Sequence, residues 1–339
     1  MDINFKDINL NNAIFIDTRS PSEFQKGHIP KAINIPLLND EQRAIVGTVY
    51  KKQTQEKAIT KALELAGPNF VNIYTDLLKL QRKHTDKELI IYCARGGMRS
   101  GTVHSFMSSL KINSKRLIGG YKTYRNIVLD YIERDIPDIK FIILNGYTGS
   151  GKTTVLKKMQ AQKLPVIDLE GIAMHMGSAF GSIPYNGIRT TQQQFENRLA
   201  TSLINLNGAK TVFLEGESKR IGWVNLNKNF YEKMTNSDMV IIKRSESYRI
   251  RKILEDYDIN DIEFKNSLNR ITKKLGGERY KEISKMLEKH EDEAVVRELL
   301  INYYDKLYNH SINKNKNIIK EIESDDDELI VNELKELLC

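Results

Sequence analysis

The chain has 339 residues, 40% hydrophobic and 28% charged, which suits two ordinary domains, each with its own core. The longest apolar runs, such as Phe141 to Leu144, are far too short to cross a bilayer, and Met1-Asp2-Ile3-Asn4 lacks a basic start followed by an apolar run, so a cytoplasmic protein with no membrane partner is expected. The only cysteines, Cys93 and Cys339, exclude a disulfide framework and leave no zinc or iron–sulfur spacing; no haem, zinc or iron–sulfur cluster is expected.

The net charge is +8 and the pI about 9.1. Residues 1–135 carry 21 Lys+Arg against 14 Asp+Glu, residues 136–320 carry 30 against 22, and the last 19 residues carry 1 against 8. The body is therefore basic in both halves and the tail acidic. That distribution suits a polyanion such as RNA, or small phosphate substrates; a Lys-rich composition without a specific partner is the plain alternative.

In chain order, Ala13 to Asp17 reads as a buried strand, Ser22 to Lys26 as a helical turn, and Ala32 to Ile35 as a short strand stopped by Pro36. A long, charged, mostly helical segment runs from Asp40 to about Thr85. Glu88 to Cys93 is the next strand, Ser100 to Leu110 has helical spacing, Arg116 to Ile118 is a strand, and Gly119-Gly120-Tyr121 is a turn. The polar, proline-bearing stretch Glu133 to Lys140 reads as a linker. Beyond it, Phe141 to Leu144, Pro165 to Ile167, Thr211 to Leu214 and Met239 to Ile242 are strand candidates. Glu246 to about Tyr308 is helical, and a last helix starts at Ser324, with Asp325 to Asp327 suited to its N-terminus. Alternation of this kind predicts two α/β domains, 1–135 with a helical insertion at about 40–85, and 140–339 with a helical C-terminal part.

Two loops carry chemistry. Cys93 ends a buried strand and precedes Ala94-Arg95-Gly96-Gly97-Met98-Arg99-Ser100 and a helix. Loop N–H groups, the helix N-terminus, Arg95 and Arg99 all favour a thiolate, making Cys93 a nucleophile or persulfide carrier; a small core cysteine is the alternative. The second loop, Gly146-Tyr147-Thr148-Gly149-Ser150-Gly151-Lys152-Thr153, followed by Thr154, has phosphate-loop spacing between a strand and a helix. Its glycines let backbone N–H groups close around phosphate oxygens, Lys152 reaches the distal phosphate, and the Thr153 hydroxyl suits Mg²⁺. The loop calls for a di- or triphosphate but does not single out ATP. The strand ending in Glu215-Gly216-Glu217-Ser218 offers Glu215 or Glu217 where an ATPase would place its metal-holding acid, and no adenine-reading motif is evident.

The segments Asp17-Thr18-Arg19-Ser20-Pro21-Ser22-Glu23-Phe24, Gly27-His28-Ile29-Pro30 and Ala32-Ile33-Asn34-Ile35-Pro36 resemble the opening of a rhodanese domain, and Gly119-Gly120 resembles its closing turn. The resemblance puts Cys93 at the catalytic position, with Asp17 and Arg19 bracing its loop from the neighbouring strand. Over the whole chain, the two loops together with Asp168-Leu169-Glu170 through His175 to Gly181, Gln193, Phe195-Glu196, Glu215 to Ser218, Ile221-Gly222, Leu275-Gly276-Gly277 and Tyr303-Tyr304-Asp305 resemble the tRNA 2-selenouridine synthase family. Two positions depart from it: Ala94 stands where a bulky aromatic is usual, and Met176 where Arg is usual.

The resemblance implies an α/β architecture of a rhodanese-like parallel-sheet domain and a P-loop domain. It also implies a transferase acting on wobble 2-thiouridine in tRNA, with geranylation from geranyl diphosphate followed by replacement of the S-geranyl group by selenium from selenophosphate. A selenophosphate-supplying enzyme is a possible partner, and a monomer is expected. An ATP-dependent tRNA sulfurtransferase or kinase fused to a rhodanese domain is the competing reading. The substrate and acid–base candidates are Asp168, Glu170, His175, Glu215, Glu217 and Ser218; the carboxylates could instead cap helices and His175 could be a satisfied helix histidine. Trp223 and Phe180 could line a prenyl pocket or the core. Lys243, Arg244, Arg249, Arg251 and Lys252 could track tRNA phosphates or form a solvated face.

Overall fold

The structure, a computed structural model, describes residues 1–134, 136, 138–206, 208–306 and 317–338. The chain divides into two compact units, Met1–Asp130 and Tyr131–Cys339.

The first unit is built on a five-stranded parallel sheet. Its strands are β1 (Asp2–Ile3), β2 (Ala13–Asp17), β3 (Ile33–Asn34), β4 (Glu88–Tyr92) and β5 (Ser114–Leu117), in the order β1-β5-β4-β2-β3. Central β2 and β4 are apolar on both faces because helices cover both, as parallel sheets require. Helix α1 (Pro21–Lys26) starts on a capping box in which Ser20 and Glu23 satisfy each other's backbone N–H groups, with Pro21 at the first helical position.

The charged insertion forms α2 (Asp40–Lys52), α3 (Gln55–Ala66) and α4 (Asn69–Lys83). Ala66, Ile73 and Leu77 are buried against Ile14, Ile16, Leu89, Ile91 and Val103, so α4 belongs to the core of its own unit. Helices α5 (Met98–Ser109) and α6 (Gly120–Glu133) complete the unit; α6 begins inside the expected Gly119–Gly120 turn and runs into the expected linker. Residues 135 and 137 of that linker lie outside the described residues.

The second unit has β6 (Lys140–Asn145), β7 (Val166–Ile167), β8 (Thr211–Glu215), a small antiparallel pair β9 (Arg220–Ile221) and β10 (Val224–Asn225), β11 (Asp238–Lys243) and β12 (Ile318–Glu323). Its main sheet is parallel, ordered β12-β11-β6-β8-β7, so the phosphate loop leaves the central strand. Helices α7 (Lys152–Ala161), α8 (Leu169–Ala173), α9 (Gln192–Asn205) and α10 (Lys228–Thr235) alternate with the strands.

The expected long helical stretch resolves into α11 (Glu246–Asp256), α12 (Ile262–Leu275), α13 (Gly277–Glu288), α14 (Asp292–Leu299) and a π-helical turn Leu300–Tyr304. Tyr308 and Cys339 lie outside the described residues. Phe180 is buried in this helical core, stacked on Phe264 at 4.5 Å.

The acidic tail differs most from expectation. Ile318–Glu323 is an edge strand parallel to β11, and the last helix begins at Asp327, capped by Asp326, three residues after Ser324. Ile322, Ile330, Val331 and Leu334 bury against Leu156 and Met159 of α7. The acids face cations of the fold: Glu321 pairs with Lys243 at 2.5 Å, and Asp327 and Glu328 lie 3.4 and 3.2 Å from Lys158. Among the described residues, no helix is long and apolar enough to cross a membrane.

Candidate active site: a thiol loop and a phosphate loop

Cys93 sits where the C-terminal end of β4 meets its helix, the usual place for a site in a parallel sheet. The turn at Gly119–Gly120 pins the loop from behind, with the Tyr121 and Lys122 N–H groups donating to the carbonyls of Cys93 and Ala94, each at 2.9 Å. Burial pushes the Cys93 thiol up. The Ser100 hydroxyl, the backbone N–H groups of Ser100 and Arg95, and the charge of Arg99 outweigh it and leave the thiol below its ordinary value.

Asp17 and Arg19 form a buried ion pair at 2.6 Å; Arg19 also donates to the Gly27 carbonyl at 2.7 Å and lies 4.0 Å from the centre of the Tyr121 ring. Arg95 is exposed at the mouth. Arg99 is already engaged: its guanidinium forks onto Glu23 at 2.5 and 3.1 Å. Arg43 from α2 approaches the same carboxylate at 3.7 Å. Glu23 and Ser100 were not singled out from sequence, although both lie inside the motifs; Ser100 reaches Cys93 within the same loop at 3.2 Å, whereas Glu23 meets Arg99 only when the fold brings α1 to that loop.

In the second unit, residues 146–154 wrap the start of α7. Lys152 is buried and its ammonium donates to the Gly146 carbonyl at 3.1 Å. The Thr153 hydroxyl donates to Glu170 at 2.6 Å. Glu170 in turn shares a hydrogen bond with Glu217. Burial raises Glu170 above the usual carboxylate range; burial and the neighbouring Glu170 push Glu217 up to about 8. The Ser150 hydroxyl is buried without a hydrogen-bond partner.

Asp168 caps α8 through the Gly171 N–H at 2.6 Å. Glu215 is fully buried, accepts the Leu169 N–H at 2.8 Å, and is held well above its ordinary value by burial, then by Asp168 and Glu170. These two acids shape α8, whereas Glu170 and Glu217 line the cavity. Ser218 also lines it, donating to the Arg220 carbonyl at 2.5 Å. His175 is buried, lowered by that burial, and lacks a partner at Nδ1.

The expected basic strip is not a strip. Arg244 is buried and turned inward, bonded to the carbonyls of Ser150 and Ser324 and to Asp327. Arg249 is buried as well, holding the Thr148 carbonyl at 2.9 Å and pairing with Asp305. Both brace the phosphate loop, because a loop with its N–H groups aimed at an anion leaves its carbonyls needing donors. Lys243 is paired with Glu321 and Lys252 with Asp256 at 2.9 Å. Arg251 is the member most open to solvent, its side chain 66% exposed.

The cavity over the loop has a volume of about 1830 Å³. Apolar and aromatic walls (Met176, Trp223, Ile253, Tyr257) meet cations that were not singled out from sequence, Lys157, Arg270 and Lys274.

Fold and site together define a class: a rhodanese-like thiol domain and a P-loop domain in one polypeptide. A rhodanese-like domain model matches residues 5–127, and the model described as the tRNA 2-selenouridine synthase AAA domain matches residues 139–265 and 258–337. Relatives named tRNA 2-selenouridine synthase come from Nitrosomonas europaea (32% identical, 89% of each chain), Pseudomonas syringae pv. syringae (34%, 88% of each) and Sulfurovum sp. (33%, 92% of each). The chain belongs to the tRNA 2-selenouridine synthase family.

Proposed function

We propose that the protein is a tRNA-modifying transferase that geranylates wobble 2-thiouridine from geranyl diphosphate and then replaces the S-geranyl group with selenium from selenophosphate. The observation that carries this reading is the cavity. The cavity that opens at the phosphate loop extends past it as far as Ala161, Thr235 and Asn317, and its total of about 1830 Å³ exceeds the roughly 300–1,000 Å³ of a small-ligand site, which supports a prenyl diphosphate and a nucleoside held together.

In the first step the base sulfur attacks the first carbon of the geranyl chain, the carbon–oxygen bond breaks, and diphosphate departs with the electron pair. Lys152, the loop N–H groups and the buried Ser150 hydroxyl receive the developing charge. The base proton leaves with the departing diphosphate, and Glu217, raised to about 8 and so mostly protonated near neutral pH, is suited to donate a hydrogen bond to that anion. Mg²⁺ fits here, because a buried acid bonded to the Thr153 hydroxyl gains from a divalent countercharge, and Mg²⁺ ordinarily takes only one or two protein carboxylates alongside phosphates. Thr153 and Glu170 would hold it, and the ion would supply charge neutralisation on the departing diphosphate. Among the described residues, no group of three or more His, Cys, Asp or Glu side chains forms a metal-binding set, so this role relies on the phosphates as further ligands.

In the second step the selenium of selenophosphate attacks C2, the C2–S bond breaks and geranylthiolate leaves with its electron pair; water then cleaves the Se–P bond, releasing phosphate and leaving 2-selenouridine. Cys93 acts there, with Arg95 gripping the anionic donor and Arg99 joining once it parts from Glu23.

The test mixes protein, Mg²⁺ and 2-thiouridine RNA with either geranyl diphosphate or ATP, and reads nucleosides by mass spectrometry. S-geranyl-2-thiouridine without ATP, lost in Lys152→Ala and retained in Cys93→Ser, is expected. ATP consumption with no geranylated product would replace this reading with a nucleotide-dependent sulfurtransferase.

A further inference from the structure

The cavity wall holds an arrangement that neither loop explains. Trp223, the chain's single tryptophan, lies in the turn between β9 and β10 and remains 38% exposed. The Arg189 guanidinium covers the indole, 3.7 Å from the ring centre. Trp223 lines the cavity whereas Arg189 does not. His175 meets the indole edge-on, with ring centres 6.4 Å apart and planes at 83°. It is 8% exposed, and its Nδ1 has no hydrogen-bond partner.

The backbone makes room for this ring. A Cβ at Gly181 would come within 2.8 Å of the imidazole, and one at Gly222 within 2.4 Å, where φ is +55° as well. Any side chain at either position would drive His175 out of place. An isoprenoid chain needs an apolar enclosure, but the two side chains that meet the indole, Arg189 on its face and His175 at its edge, are polar. A nucleobase matches better, with a π face for the indole and polar edges for an imidazole that lacks a partner.

We infer that Trp223, backed by Arg189 and edged by His175, is a stacking platform that receives a nucleobase of the RNA substrate beside the phosphate loop. This rests on the reading that the protein acts on tRNA and adds where the base lodges.

The single tryptophan makes the test direct. The full chain is titrated with an RNA hairpin bearing 2-thiouridine in its loop, with the same hairpin abasic at that position, and with geranyl diphosphate plus Mg²⁺. Intrinsic fluorescence is followed, and affinities come from labelled RNA. The thiouridine hairpin is expected to quench Trp223 and to bind roughly ten-fold more tightly than the abasic one. Trp223→Ala should abolish that preference and Trp223→Phe keep part of it. Equal binding of both hairpins with unchanged emission overturns the platform and leaves RNA binding standing. Quenching by geranyl diphosphate alone, with no base preference, also overturns it, giving the indole to the prenyl chain. Failure of both hairpins to bind counts against the tRNA reading itself.

Discussion

The Thr153 hydroxyl donates to Glu170 at 2.6 Å, tying the residue that a phosphate loop offers to a metal directly to a buried acid. Glu170 shares a hydrogen bond with Glu217, so two carboxyls face Lys152 with too little countercharge for both to ionise. The pair therefore keeps a proton near neutral pH.

That stored proton makes stability depend on pH with a definite sign. Glu217 is raised to about 8 in the folded protein, mainly by burial and then by Glu170, whereas unfolded it returns to the usual carboxylate value. The folded state then binds more protons between those limits, so the contribution is complete below the unfolded pKa and is lost as pH rises through about 8. Thermal melts from pH 6 to 9 should show the melting temperature falling in the natural protein and a shallower fall in Glu217→Gln. Identical slopes would remove Glu217 as the cause.

Ser100 donates its hydroxyl to the Cys93 sulfur at 3.2 Å, and that bond leads the influences that lower the thiol against its burial. Ser100→Ala should move the pH profile of Cys93 alkylation by iodoacetamide to higher pH and slow the reaction several-fold at pH 7. An unmoved profile would assign the activation to the loop N–H groups and Arg99 alone.

The buried and exposed arginines of α11 and its approach should separate cleanly. Arg244→Ala removes the donor to the carbonyls of Ser150 and Ser324 and one cation from Asp327, which keeps the Tyr248 hydroxyl at 2.9 Å and Lys158 at 3.4 Å; breaking a buried pair costs roughly 3–5 kcal/mol, and these remaining partners put the loss at the low end of that range. Arg251→Ala removes a side chain 66% exposed and should change stability by no more than about 0.5 kcal/mol. Urea unfolding measures both. If Arg251 contacts RNA phosphate, its loss also weakens binding in low salt and reduces the salt slope by about one.

Gly120 is held at φ +57°, and a Cβ there would lie 2.3 Å from the Cys93 carbonyl and 2.4 Å from the Gly96 nitrogen. Both neighbours are backbone of the thiol loop, so neither can swing aside. Gly120→Ala should cost at least about 1–3 kcal/mol and abolish the fast alkylation of Cys93. Retained reactivity would mean that the loop does not depend on this close approach.

Much of the fold was legible because its signals are local. The run from Ala13 to Asp17 forms a strand over the residues read from sequence, and Ile73 and Leu77 sit on a helix within the expected helical stretch. Ile318–Glu323 escaped because charge interrupts its apolar residues, as an edge strand tolerates; only pairing with β11 makes it a strand. The helix-terminus role of the tail's aspartates was legible from sequence and Asp326 fills it, but the pairing of tail acids with Lys158, Lys243 and Arg244 was not.

The sequence by itself determined the two anion loops, since glycine spacing, the nucleophilic thiol and the loop lysine act over a few consecutive residues. The tertiary structure alone decided which charges are spoken for. Arg99 is held by Glu23, Arg244 and Arg249 serve loop carbonyls, Glu217 stores a proton beside Glu170, and Arg189 backs Trp223. The physical reason is range: a loop's conformation follows from its own residues, but the free energy of a charge depends on burial and on partners that only the folded chain brings near.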